Sequence, residues 1–327
     1  LSSFSSLVME NLKETELCFP HLLNASCVKP KRPQFEIILT YILVFSISLL
    51  TVSLNLLVII SVSHFKQIHT PTSLFIGSLA ASDFFMGLLM LFQIVLIDGC
   101  WYLDDLMCAV YQYVYYIITS TSLGNMVLIS ADRYVALTAM WPFIQVCLCW
   151  TCSVIYESLI LKDVLEQPGR FNFCFGQCIF VINYIADFII SFIAPITLIV
   201  VLYMRVFVVA VSQARAMRSH IAAVTLQGSV KLTAKKSELK AARTLGVVVV
   251  VFLICLCRSY CVAFTGQDNF MNISSAAFVI WLYYFNSCLN PMIYALFYPW
   301  FRKSVKLIVT LKILQPDATT SFPQSEH

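Results

Sequence analysis

Asn286-Ser287-Cys288-Leu289-Asn290-Pro291-Met292-Ile293-Tyr294-Ala295-Leu296-Phe297-Tyr298-Pro299-Trp300-Phe301 is the stretch whose reading decides the fold. It belongs to an apolar run, yet two asparagines and an Asn290-Pro291 pair interrupt it, and an aromatic-basic segment follows at once. Proline removes a backbone donor and kinks a helix. Inside a bilayer the freed carbonyl and the asparagine side chains must find partners within the protein. A segment that costly, set near one membrane face, reads as a moving part of a helical bundle.

Composition supports that reading outward from the stretch. The 327 residues are 60% hydrophobic and 12% charged, with mean hydropathy +0.84. A soluble domain carries about 25% charged residues, so the chain reads as a polytopic membrane protein. Apolar runs of roughly 20 residues each suffice to span a bilayer. Seven are present, at about 36–63, 72–97, 107–131, 142–161, 179–208, 243–264 and 274–297. The expected fold is an all-α membrane protein, a seven-transmembrane helix bundle with a short amphipathic C-terminal helix. Its expected divisions are residues 1–34 as an extracellular N-terminal segment, 35–298 as the membrane domain, and 299–327 as amphipathic helix and cytoplasmic tail. No internal repeat stands out, which disfavours transporters built from duplicated halves.

Basic residues in the short loops set the orientation. Lys66, Arg133, Arg205, Arg215, Arg218, the basic positions from Lys231 to Arg243, and Arg302, Lys303, Lys306 and Lys312 fall on one side. Lys13, Lys29, Lys31, Arg32, Lys162 and Arg170 fall on the other. The richer side is read as cytoplasmic, which puts the N-terminus outside and the C-terminus inside, in the plasma membrane. The net charge of +4 reflects this sorting and gives no support for nucleic-acid binding. No secretory signal with a basic start and cleavage site is visible. Leu1 is not a natural start and Met9 is a candidate one. Asn24-Ala25-Ser26 is a glycosylation sequon on the outer side.

Of thirteen cysteines, Cys147, Cys149, Cys152, Cys255, Cys257, Cys261 and Cys288 lie in apolar runs and read as small buried hydrophobes. Cys18, Cys27, Cys100, Cys108, Cys174 and Cys178 lie outside or at the outer edge, where disulfides persist. Pro299 to about Leu311 mixes Trp300, Phe301, Val305, Leu307 and Ile308 with Arg302, Lys303 and Lys306, which suits a helix lying on membrane lipid at the inner leaflet. No cysteine follows it to carry a palmitoyl chain.

The opening stretch resembles the seventh helix of rhodopsin-like G-protein-coupled receptors, and the run from Asn286-Ser287 through Trp300-Phe301 resembles the fingerprint of their trace-amine-associated subfamily. Asp132-Arg133-Tyr134 closes the third span, and a half-buried arginine needs a carboxylate. The resemblance implies that Arg133 acts as a latch, paired with Asp132 and Glu238 at rest and released toward a G protein when active. It also implies that Tyr203 and Tyr294, with Pro291, reorganise around that arginine. Asp83, in Ser78-Leu79-Ala80-Ala81-Ser82-Asp83, is an intramembrane acid and so a functional candidate; Asn55 matches the first-span asparagine. Ser122, Asn286, Ser287 and Asn290 are its candidate neighbours, and the resemblance implies an allosteric sodium ion there, with no other cofactor or metal. A protonated, structural Asp83 is the alternative. The resemblance further implies disulfides Cys108–Cys178 and Cys27–Cys174.

A pocket for a cationic amine needs a carboxylate reachable from outside and aromatic walls. Aminergic receptors keep an aspartate about five turns before Asp132-Arg133-Tyr134, but Tyr115 stands there. Asp187, about two turns outward of Pro195 on the fifth span, is similar to the relocated charge of teleost-type trace-amine receptors. It is the candidate counter-ion, with Tyr115, Tyr116, Thr119, Ser191, Tyr260, Tyr283 and Tyr284 as candidate walls. One pocket carboxylate favours a monoamine over a diamine.

Two regions depart from the resemblance. On the sixth span the usual tryptophan is Leu256 and the usual proline is Arg258, so the helix should be straighter; Arg258 facing Asp187 would block amine binding. The connection after Tyr134 is about ten residues short. The leading expectation is therefore an olfactory amine receptor raising cAMP through a stimulatory G protein. The alternatives are a signalling-impaired or decayed copy and, more remotely, an amine transporter using Asp187 and Asp83. An enzyme is not expected, since His21, His64, His69, His220 and His327 lack metal-ligand spacing.

Overall fold

The computed structural model describes residues 16–22, 25–29, 33–65, 70–97, 100–135, 142–170, 172–178, 188–223, 284–293 and 299–310. Helices α1 Gln34–His64, α2 Pro71–Ile97, α3 Asp105–Val135 and α4 Pro142–Ile160 come first, followed by a short α5 Lys162–Glu166. A π-helical turn, Phe188–Ile193, runs into α6 Ala194–Ala223. Residues 284–293 are helical (α7), and α8 spans Pro299–Val309.

Five of these helices are long and apolar enough to cross a membrane: Gln34–His64, Pro71–Phe92, Asp105–Asp132, Pro142–Ile160 and Ile189–Val206. The first four expected spans coincide with α1 to α4 to within a few residues. The fifth runs on to Ala223 rather than ending near 208. Hydropathy senses the bilayer, whereas the helix continues on its own hydrogen bonds through the polar Ser212-Gln213-Ala214-Arg215 segment. The sixth expected span lies outside the described residues.

The bundle keeps its outward faces apolar and buries polar side chains among apolar ones inside. On α1, Ser48, Thr51, Asn55 and Ser61 are buried, while Phe35, Ile38, Ile42, Phe45 and Leu49 are exposed. With Val44 and Val58 the buried set recurs at three- and four-residue steps, so it occupies one helix face. Small and hydroxyl residues let membrane helices approach closely. The Ser48 hydroxyl donates to the Gly87 carbonyl of α2 at 2.7 Å, and a Cβ on Gly87 would meet Thr51 and Val52 at 2.9–3.2 Å. On α4, Phe143, Leu148, Ile155 and Leu159 face outward in the same way.

Packing follows chain order: α1 on α2, α2 on α3, α3 on α4, with α3 also against α6. The larger core cluster joins Val58 and Val62 of α1, Phe75, Ile76 and Leu79 of α2, Met126 and Ile129 of α3, Ile199 of α6 and Ile293 of α7. Phe301 of α8 inserts into the same cluster, and α8 contacts α1. Arg302 and Lys306 stay exposed while Phe301 and Ser304 are buried, an amphipathic division.

At the opposite end a small cap is stapled by three disulfides, Cys18–Cys100, Cys27–Cys174 and Cys108–Cys178. The last two are the pairs the resemblance implies, and the first was not singled out. Isolated bridges Leu17↔Val28 and Ser26↔Phe175 align the strands of chain, and Trp101 N–H donates to the Gly176 carbonyl at 2.7 Å. Gly176 has φ +97°, and a Cβ there would meet the Cys18 Cβ at 2.9 Å. Only glycine takes that conformation without strain. Trp101 is buried beneath the cap against Cys108 and Tyr111.

Candidate functional site

The core between α1, α2 and α7 holds a buried polar chain. Asp83 is 1% exposed, and Asn290 Nδ2 donates to its Oδ2 at 2.8 Å. Ser287 and Ser122 stand beside the same carboxylate. The second oxygen, Oδ1, makes no hydrogen bond of standard length among the described residues. Asn55 donates to the Thr51 carbonyl at 2.9 Å and to the Ser287 carbonyl at 3.0 Å, tying α1 to α7. Asn286 and Pro291 are buried on the same α7 segment. Of the candidate neighbours of Asp83, Ser122, Ser287 and Asn290 therefore converge on it. A buried carboxylate with hydroxyl and amide oxygens around it and a free lone pair fits a small hard cation.

Toward the α8 end of the bundle, Asp132 is buried at the end of α3 and accepts from Thr72 Oγ1 of α2 at 2.5 Å. This fixes the carboxylate next to Arg133 from a second helix. Arg133 and Tyr134 lie on the last turn of α3; their side chains, and all of Glu238 and Tyr294, lie outside the described residues. Tyr203 of α6 packs against the larger core cluster. The chain between α3 and α4 is confined to residues 136–141.

Beneath the disulfide cap a ladder of tyrosines runs along α3. Ring centroids are 6.3 Å apart for Tyr111–Tyr115 and 5.4 Å for Tyr115–Tyr116. The two outer candidates face different neighbours. Tyr115 packs with Met86, Met90, Ile118 and the buried Tyr284 of α7, whereas Tyr116 packs with Leu161 and Val164 beyond α4. Thr119 Oγ1 is turned back to the Tyr115 carbonyl at 2.9 Å. Ser191, on the π-helical turn, donates to Tyr156 Oη of α4 at 3.2 Å. Asp187, Tyr260, Tyr283, Leu256, Arg258 and the sequon Asn24 lie outside the described residues.

The sequence reading passed over one residue. Glu157 of α4 is 1% exposed and accepts from Ser120 of α3 through a short hydroxyl–carboxylate hydrogen bond. The signal was available: a lone acid in an apolar span, the argument that singled out Asp187. Cys18 and Cys100 carried no such signal, since pairing among six outer cysteines is not legible from spacing.

The described helices thus form a membrane bundle with an Asp–Asn pair in its core and an Asp-Arg-Tyr sequence at the end of α3. Residues 54–294 match the 7 transmembrane receptor (rhodopsin family), and the chain belongs to that family. Its relatives place it among the trace amine-associated receptors. It is 35% identical to trace amine-associated receptor 8a of Rattus norvegicus over 95% of this chain and 97% of that one. It is 35% identical to trace amine-associated receptor 6 of Homo sapiens over the full length of both, and 32% identical to trace amine-associated receptor 13c of Danio rerio over 93% and 95%. The chain is thus a G-protein-coupled receptor of the trace-amine type, a multi-pass plasma-membrane protein and not an enzyme.

Proposed function

We propose that this receptor senses protonated amines from the extracellular side and raises cAMP through a stimulatory G protein, in olfactory neurons. The observation that carries the amine reading is the tyrosine ladder Tyr111–Tyr115–Tyr116, with Tyr284 buried across from it. A tyrosine ring whose face meets an ammonium group attracts it by about 0.5–2 kcal/mol according to desolvation, and Tyr115, on the same side of α3 as Tyr284, is the ring placed to do so. Asp187, directly preceding the π-helical turn that carries Ser191, supplies the counter-charge. Ligand binding favours the signalling state by differential affinity for the two states.

Asp83, Ser122, Ser287 and Asn290, with Asn286 nearby, hold a sodium ion in the resting state. The ion supplies a positive charge that stabilises the Asp83 carboxylate. On activation the Arg133 latch leaves Asp132 and Glu238, and Tyr203 and Tyr294 close around it. A second reading, a copy that binds amines without signalling, is favoured by the short connection 136–141, since a loop of that length presents little surface to a G protein.

The test is an amine screen by cAMP readout in cells that also express an accessory trafficking factor. Truncating one partner of a buried charge pair costs about 2–5 kcal/mol, so Asp187→Ala should weaken potency about 30-fold or more. Unchanged potency in that variant would sink the amine reading.

A further inference from the structure

Ser26 belongs to two arrangements at once: it is the third residue of the sequon Asn24-Ala25-Ser26 and a tie inside the disulfide cap. Its hydroxyl accepts from the Phe19 N–H at 2.8 Å and donates to the Cys27 carbonyl at 3.2 Å. Its backbone N–H donates to the Leu22 carbonyl at 2.9 Å, and the Ser26↔Phe175 bridge aligns it with the loop that carries Cys174. Cys18 and Cys27, on either side of these bonds, are fixed to Cys100 and Cys174, and both Cys18 and Cys100 are buried.

Glycan transfer needs the same hydroxyl. The acceptor pattern requires a Ser or Thr two residues after the asparagine, and that hydroxyl is the group by which the transferase recognises the peptide. In the transfer step the Asn24 side-chain nitrogen bonds to the anomeric carbon of the first sugar. The bond from that sugar to its polyprenyl diphosphate carrier breaks, the amide gives up one proton, and the lipid diphosphate leaves. In the closed cap the Ser26 oxygen is already taken by the Phe19 N–H and its proton by the Cys27 carbonyl. Two disulfides also hold the segment against being drawn out into an enzyme.

We propose that Ser26 serves these two uses in succession. It is the sequon hydroxyl while Asn24 receives its glycan, and then the tie that closes the cap, which thereafter shields the sequon from the transferase. Chain order provides the interval, because Cys18 pairs across a sequence separation of 82 and Cys27 across one of 147. At a synthesis rate of roughly 5–20 residues per second, Cys100 follows Cys18 after about 4–16 s and Cys174 follows Cys27 after about 7–30 s. The proposal concerns the outer cap and stands apart from amine recognition.

The experiment has two arms, both on the full-length receptor. In cells, the receptor is made while formation of the lipid-linked oligosaccharide is blocked; translation is then stopped and the block lifted. Glycan addition is read as an endoglycosidase-sensitive gain in mass, with and without a brief pulse of dithiothreitol. The expected result is no gain in the oxidised receptor and a gain after reduction. A comparable gain in the oxidised receptor, or none after reduction, would overturn the shielding by the cap. Wild type made without the block and carrying no glycan would overturn the proposal as a whole.

In the second arm, hydrogen exchange over residues 16–22 is followed in wild type, Asn24→Gln, Ser26→Thr and Ser26→Ala. Asn24→Gln and Ser26→Ala both abolish the sequon, but only Ser26→Ala removes the acceptor for the Phe19 N–H. Exchange at Phe19 should rise about fivefold or more in Ser26→Ala and stay within about twofold of wild type in the other two variants. Equal exchange in Ser26→Ala and Asn24→Gln would reduce Ser26 to a sequon residue and overturn its second use.

Discussion

Asp83 illustrates what a single buried charge makes possible. Its Oδ2 is satisfied by Asn290, while Oδ1 has no standard hydrogen bond among the described residues. An ion that bound there only in the resting state would oppose agonist binding, because coupling between two sites is reciprocal. Raising sodium at constant ionic strength should therefore lower amine affinity in wild type. Asp83→Asn keeps an acceptor for Asn290 and removes the charge, so its amine affinity should be flat across the same sodium range. Binding titrations in sodium against an organic cation measure this directly, and an unaltered sodium slope in the variant would exclude Asp83 as the ion's ligand. At this scale Asp83 was legible because a lone intramembrane acid has few packing explanations. Ser122, Ser287 and Asn290 were legible as its neighbours through the resemblance, and the fold places all three beside the carboxylate.

The cap is the element whose construction departs furthest from what hydropathy reveals. Cys18–Cys100 closes a loop with sequence separation 82, and Cys27–Cys174 one of 147. Loops of that size stabilise by about 2–4 kcal/mol through restriction of the unfolded chain. The Cys18→Ser/Cys100→Ser double variant should lower the melting temperature, and residues 16–29 should gain hydrogen exchange and protease sensitivity. Exchange confined to wild-type levels would show that the backbone bonds Cys18 N–H to Cys27 carbonyl, 2.9 Å, and Cys27 N–H to Phe175 carbonyl, 2.9 Å, hold the cap alone. Helices α1 to α4 were legible to within a few residues, since a bilayer imposes length and apolarity on each span. The extension of α6 to Ala223 and the π-helical turn at Phe188–Ile193 were not, because hydropathy drops in the first although the helix goes on, and does not change in the second. Tyr115 and Tyr116 read alike in sequence; only the helix phase against α4 and α7 separates their roles.

On the scale of the whole molecule, two independent chemical signals sort to opposite ends. All three disulfides gather around the cap at the start of α1 and α3. Phe301 of α8 meets Val58 and Val62 near the end of α1, which puts Arg302, Lys303 and Lys306 at the far end with Asp132 and Thr72. Disulfides persist in an oxidising compartment, and basic loops remain in the cytoplasm. Both rules orient the N-terminus outward, although they rest on unrelated chemistry, redox in one case and insertion in the other. An epitope before residue 16 should therefore be stained on intact cells, and one after residue 310 only after permeabilisation. The sequon Asn24-Ala25-Ser26 adds a second readout, since its acceptor is glycosylated only on the luminal route. Wild type should lose mass on endoglycosidase treatment and Asn24→Gln should not. Staining of the C-terminal epitope on intact cells would reverse the topology, and with it the assignment of the tyrosine ladder to the ligand-facing half.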